Sequence, residues 1–120
     1  MNMQKKYPSA RKNINNNLTP QAIAQSIVSK NSPYFLIDIR KIPDEQHVKY
    51  IKSAHSIPRS ELRALLPQFD KQKIYIICDW CAGSLASRKA IVTLLDAGLD
   101  AHELPGGVDV WYQMNLPTDS

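Results

Sequence analysis

Two cysteines are the only thiols of this 120-residue chain, and both fall in one stretch, Ile74 to Ala90, reading IYIICDWCAGSLASRKA. Four apolar, largely β-favouring residues run into Cys78, and Asp79 and Trp80 separate it from Cys81. Small residues follow, then a helical pattern. A thiol attacks as its thiolate, and a loop that wraps backbone N–H groups around sulfur just before a helix N-terminus favours that anion. Ala82, Gly83 and Ser84 suit such a loop, because small side chains let the backbone approach and Gly83 admits positive φ. Arg88 and Lys89, early in the helix, add positive potential.

Four chemistries compete for this pattern. Sulfur transfer needs one exposed cysteine in an anion-holding loop. A dithiol redox protein or sensor needs both, and Cys78-Asp79-Trp80-Cys81 has the CxxC spacing. A cysteine phosphatase needs an arginine after five intervening residues, whereas six separate Cys81 from Arg88. Zinc needs about four ligands, and His47, His55 and His102 show no ligand spacing with the cysteines, so no metal is expected. Free cysteine is also a small buried hydrophobe. That reading fits strand-end Cys78 well and loop-borne Cys81 poorly.

These residues need a scaffold, and composition narrows it. Lys and Arg total 15 against 11 Asp and Glu, and the surplus is Lys5, Lys6, Arg11 and Lys12 at the N-terminus. Residues 18–120 are therefore neutral, and no nucleic-acid-binding face is indicated. No apolar run approaches the roughly 18 residues of a membrane span, so no membrane partner is expected. The N-terminus has basic residues but no apolar core or cleavage site of a secretory signal. A cytoplasmic location with reduced thiols is the expectation. Residues 1–17, basic and Asn-rich, read as a flexible segment with at most a short strand near Ile14.

Thr19-Pro20 opens a helix whose stripe is Ile23, Ile27 and Val28. Tyr34 to Ile39 reads as a buried strand, and Pro43 to Tyr50 as a turn into a short helix. A brief strand around Ala54 to Ile57 follows. Ser60 caps the next helix, which carries Leu62, Leu65 and Leu66 and stops at Pro67. After the strand Ile74 to Cys78, Ala90, Ile91, Leu94 and Leu95 mark a long helix ending at Gly98. Asp100 to Leu104 forms a last strand, and Gly106-Gly107 turns into a helix with Val110 and a core Trp111. Such alternation implies an α/β fold with a mostly parallel sheet, whose ligands bind beyond the carboxyl ends of the strands.

From Leu18 onward the ordered motifs resemble the single-domain rhodanese (sulfurtransferase) family. Leu36-Ile37-Asp38-Ile39-Arg40 looks like its LIDVR strand. Asp44-Glu45 followed by Tyr50 to Pro58 is similar to its DE…GHIPGAINIP segment, with the glycines and first proline replaced. Ala97-Gly98-Leu99, Leu104-Pro105-Gly106-Gly107, Trp111 and Leu116-Pro117 match its AGY…LxGGxxxW…GLP ending. The resemblance implies a five-stranded, mostly parallel sheet with helices on both faces, over residues 18–120.

It also implies an activity. A cysteine thiolate takes a sulfane sulfur from a donor such as thiosulfate or a persulfide, then passes it to a thiol or cyanide, without a cofactor. A protein thiol is a further candidate partner. The family loop reads like CRSGNRS, with the cysteine directly after the strand and six residues before a capping serine. Counting back from Ser87 gives Cys81, while matching the strand end gives Cys78, since this loop is three residues longer. Spacing to the helix sets the anion-holding geometry, so Cys81 is favoured as nucleophile, with Cys78 as alternative or resolving thiol. The expected substrate-binding segment is Trp80, Ala82, Gly83, Ser84, Leu85, Ala86, Ser87 and Arg88. Ala86 replaces the family's loop arginine, leaving anion binding to Arg88 or to backbone, and the altered loop keeps a catalytically inactive rhodanese-like binding module as an alternative beside the dithiol redox protein. Asp38 and Arg40 are expected to border the site as a supporting ion pair.

Overall fold

A computed structural model describes residues 18–43 and 45–119. The expected N-terminal segment, residues 1–17, lies outside them, as does Asp44. Helix α1 (Pro20–Ile27) begins as its sequence dictates: the Ala22 N–H donates to Thr19 Oγ1 at 3.1 Å, and Pro20 occupies a position that needs no donor. Four strands make a parallel sheet in the order β3-β1-β4-β5: β1 (Tyr34–Asp38), β3 (His55–Ser56), β4 (Ile74–Cys78) and β5 (Asp100–Glu103). A two-stranded antiparallel pair joins β2 (Tyr50–Ile51) to β6 (Thr118–Asp119). Helices α2 (Arg59–Leu65), α3 (Leu85–Asp96) and α4 (Gly107–Gln113) complete the α/β architecture.

The near-continuous apolar runs of β1 and β4 follow from burial on both faces. Leu36, Ile76 and Cys78 point to one side, with Ile23 and Ile27 of α1 and Val108 and Trp111 of α4. Ile37, Tyr75 and Ile77 point to the other, with Leu62 of α2 and Ala90 and Leu94 of α3. Trp111 is fully buried and its indole N–H donates to the Pro117 carbonyl at 2.8 Å, fixing the C-terminal strand beside α4. Among the described residues, no helix is long and apolar enough to cross a membrane.

Three local expectations are corrected. No helix forms over residues 45–49; the Lys49 carbonyl instead accepts from Arg40 Nη2 at 3.2 Å and from the Tyr112 hydroxyl, which draws the segment out over Arg40. Helix α2 starts at Arg59 rather than after Ser60, because extended Pro58 sits at the cap and its carbonyl accepts from Glu61 at 2.9 Å. Helix α2 ends at Leu65, ahead of Pro67 as expected, but Leu66 belongs to a following 3-10 turn, Leu66–Gln68, where Pro67's missing N–H costs nothing.

Candidate functional site

The loop from Asp79 to Ser84 leaves the carboxyl end of β4 and enters α3. Ser84 is the N-cap: its Oγ accepts from the Ser87 N–H at 3.0 Å, and its backbone carbonyl accepts from the Arg88 N–H at 3.1 Å. The cap is therefore Ser84, three residues before the serine the family pattern suggested. Ser87 is buried in the first turn. Gly83 takes φ +80°, the left-handed conformation expected of it.

Helix α4 holds this loop from below. The Val108 N–H donates to the Asp79 carbonyl at 2.8 Å and the Asp109 N–H to the Trp80 carbonyl at 3.0 Å. Gly107 makes this approach possible. A Cβ placed there would lie 2.5 Å from Cys81 Cα and 2.8 Å from the Trp80 carbonyl oxygen, and its φ is +72°. Gly107→Ala is expected to cost about 2–4 kcal/mol, combining left-handed strain with overpacking. Urea denaturation and the thiol reactivity of Cys81 check this; unchanged values for both would remove Gly107 from the role.

The two cysteines occupy opposite environments. Cys81 is exposed, while Cys78 is fully buried in the core face shared with α1 and α4. Burial pushes the Cys78 thiol far up, the Asp38 and Asp79 carboxylates push the same way, and Arg40 only partly opposes them. Cys78 is thus a neutral packing group whose weak S–H contact is the Ile76 carbonyl, 3.7 Å away. The folded chain holds this proton more tightly than the unfolded chain, where a thiol titrates near about 8.5. Its contribution to stability is complete below that pH and falls by about 1.4 kcal/mol per pH unit above it. Urea melts between pH 7 and pH 10 are expected to show this loss in the parent protein and not in Cys78→Ala.

Beside the loop sits a locked cation. Arg40 reaches Asp38 through Nε at 3.0 Å and Nη2 at 2.8 Å, and its own backbone N–H adds a third bond to Asp38 Oδ1 at 3.0 Å. Both side chains are buried. Arg40 Nη1 donates to the Tyr112 hydroxyl at 3.2 Å, and the guanidinium lies 4.4 Å from the Trp80 ring centre and 5.5 Å from that of Tyr50. Burial opposes the charge, yet the bonds to Asp38 and Tyr112 raise the pKa above its ordinary value. Trp80 is therefore anchored by a cation–π contact. A cleft of about 570 Å³ opens next to Arg40, lined by Tyr50, Ser56 and Pro58 among others.

Of the residues singled out from sequence, Trp80, Cys81, Ala82, Gly83 and Ser84 come together in the loop, with Asp38 and Arg40 alongside. Leu85 projects outward, 66% exposed, and Ala86 packs against the α2–α3 core face. Arg88 lines a separate groove with Arg59, Arg63 and Lys89 between α2 and α3. Sequence reasoning missed Asp79 and Glu103. Asp79 accepts from the Trp80 N–H at 2.8 Å and from Ser84 Oγ at 2.7 Å, while Glu103 Oε2 accepts from the Gly83 N–H at 2.6 Å. Glu103 had one signal: it ends β5, the strand beside β4, at the carboxyl edge where sites form. Among the described residues no three His, Cys, Asp or Glu side chains converge as a metal site would require.

No family model matches the chain, and no curated protein matches it either. Solved structures do. A protein from Lactobacillus plantarum is 28% identical, with a TM-score of 0.76 over 83% of each chain. A rhodanese-related protein from Thermoplasma volcanium is 25% identical, with a TM-score of 0.67 over 86% of this chain and 96% of its own. A protein of Rhodopseudomonas palustris, described as a possible tyrosine phosphatase, is 25% identical, with a TM-score of 0.69 over 86% of this chain and 83% of its own. The parallel sheet, the loop between β4 and α3 and these neighbours together make this a chain of rhodanese-like fold.

Proposed function

We propose that the chain is a sulfurtransferase in which Cys81 carries a persulfide between a sulfane-sulfur donor and a thiol or cyanide acceptor. The observation that supports this most is the separation of roles between the cysteines: one exposed at the mouth of a loop that ends in a capped helix, the other sealed in the core. In the first half-reaction the Cys81 thiolate attacks the outer sulfur of the donor and the sulfur–sulfur or sulfur–sulfonate bond breaks. The electron pair leaves with the donor remnant, a thiolate or sulfite. An acceptor thiolate then attacks the outer persulfide sulfur and frees Cys81. The Leu85 and Ala86 amides, in the helix turn that has no intrahelical acceptors, and the helix dipole favour the anionic persulfide.

A dithiol mechanism fits less well, because Cys78 is inaccessible and firmly protonated. Phosphatase chemistry fits less well too, since the position that follows Cys81 after five intervening residues is buried Ser87 rather than an arginine. Transfer of sulfur to cyanide from thiosulfate and from an alkyl persulfide, followed as thiocyanate, tests the proposal. Turnover that requires Cys81 supports it; absence of turnover with both donors in the folded protein refutes it.

A further inference from the structure

An anion-holding loop works by presenting free N–H groups, and here two carboxylates, Asp79 of the loop and Glu103 of β5, already occupy some of them. The Gly83 amide donates to Glu103 Oε2 at 2.6 Å, a short charge-assisted bond, and the Trp80 amide donates to Asp79 Oδ1 at 2.8 Å. The Asp79 carboxylate also holds the Ser84 hydroxyl. No cation balances them within the loop. Arg40 is locked onto Asp38, and Arg88 lies in the groove with Arg59 and Arg63. Asp109, exposed in the first turn of α4, adds a further negative charge near the loop.

The Asp79 contacts are local to the loop's own turn, whereas Glu103 arrives from a neighbouring strand. Its arrival follows from register: Glu103 pairs with Ile77, so its side chain stands beside the point where β4 hands over to the loop. A dianionic donor approaching Cys81 therefore meets a carboxylate where a donor-bearing amide would otherwise be available.

We infer that Glu103 is a specificity-determining residue that holds the Gly83 amide against small anions and selects sulfur donors whose carrier has no net negative charge. The inference rests on sulfur transfer at Cys81 and names the donor class for it. With such a donor, R–S–SH, the Cys81 thiolate takes the outer sulfur, the S–S bond breaks, and the departing RS⁻ takes the proton, leaving Cys81–S–S⁻ and RSH. With thiosulfate the same attack expels sulfite, but three negative charges must gather beside Glu103.

Alkylation tests the gate without requiring sulfur transfer. Rates of Cys81 modification by iodoacetate, an anion, and by iodoacetamide, which is neutral, are measured for the parent protein, Glu103→Gln, Glu103→Ala and Asp109→Asn. Glu103→Ala, which frees the Gly83 amide, is expected to raise the iodoacetate-to-iodoacetamide rate ratio by about tenfold, the lower end of what a hydrogen bond to a charged group is worth; Glu103→Gln, whose side-chain carbonyl still accepts from that amide, is expected to raise it less. Asp109→Asn, which leaves the Gly83 contact intact, is expected to change it by less than about twofold. An unchanged ratio in Glu103→Ala overturns the inference. So does an equal rise in Asp109→Asn, which would assign the effect to the general field. Persulfide loading from thiosulfate and from a zwitterionic aminoalkyl persulfide is followed in parallel by mass. Loading by neither donor refutes sulfur transfer itself, while the alkylation ratio still decides the role of Glu103.

Discussion

Replacing Cys81 with serine is expected to lower sulfur transfer by about a thousandfold or more, since a serine hydroxyl at neutral pH neither ionises nor forms a persulfide. Cys78→Ser is expected to stay within a few-fold of the parent protein. Its hydroxyl faces the same Ile76 carbonyl as the thiol it replaces, inside the core and away from substrate. The asymmetry is the informative result. Comparable losses in both variants would point to a mechanism in which the two sulfurs act together, and full activity in Cys81→Ser would remove Cys81 from the chemistry. Steady-state thiocyanate formation gives both numbers, with the thiol titre as a check: one cysteine of the folded protein reacts readily, the second only on unfolding.

The second large effect concerns stability. Asp38→Ala strands the buried Arg40 guanidinium and is expected to cost about 3–5 kcal/mol. Replacing both partners by apolar residues of similar volume, Asp38→Leu with Arg40→Met, is expected to recover most of that loss, because no charge is then left buried without a partner. The pair also carries Trp80 through the stacked guanidinium, so Asp38→Ala should red-shift tryptophan emission as Trp80 leaves its anchor. Urea denaturation of the two single variants and the double variant measures the coupling. Additive losses would show that the two side chains do not act as a pair.

How much of this was legible in the sequence depends on whether a feature is local. The cap at Thr19-Pro20, strand Ile74–Cys78 and the Asp38–Arg40 ion pair were readable, because each rests on neighbours within a few residues, and Trp111 because so large an apolar side chain on a helix is placed in the core. The sheet follows the expected architecture with four parallel strands plus the β2–β6 pair. That pair escaped notice: two residues in mid-chain, Tyr50 and Ile51, and two far along it, Thr118 and Asp119, find one another only after Trp111 and Pro117 bring the last segment back. The missing helix over residues 45–49 failed for a similar reason, since Arg40 and Tyr112 claim the Lys49 carbonyl across long sequence separations. At the site, the loop from Trp80 to Ser84 was visible as a contiguous string. Glu103 was not, because its place beside Gly83 is created by parallel registry between β4 and β5.

The measurement that bears most directly on the central claim is the mass of the reduced protein after brief exposure to an alkyl persulfide, followed by peptide mapping. The expected result is a gain of about 32 Da, one sulfur atom, confined to the peptide position of Cys81 and lost on adding a free thiol. A stable Cys78–Cys81 disulfide with no sulfur gained, or an intact fold that takes up no sulfur at Cys81, would contradict it.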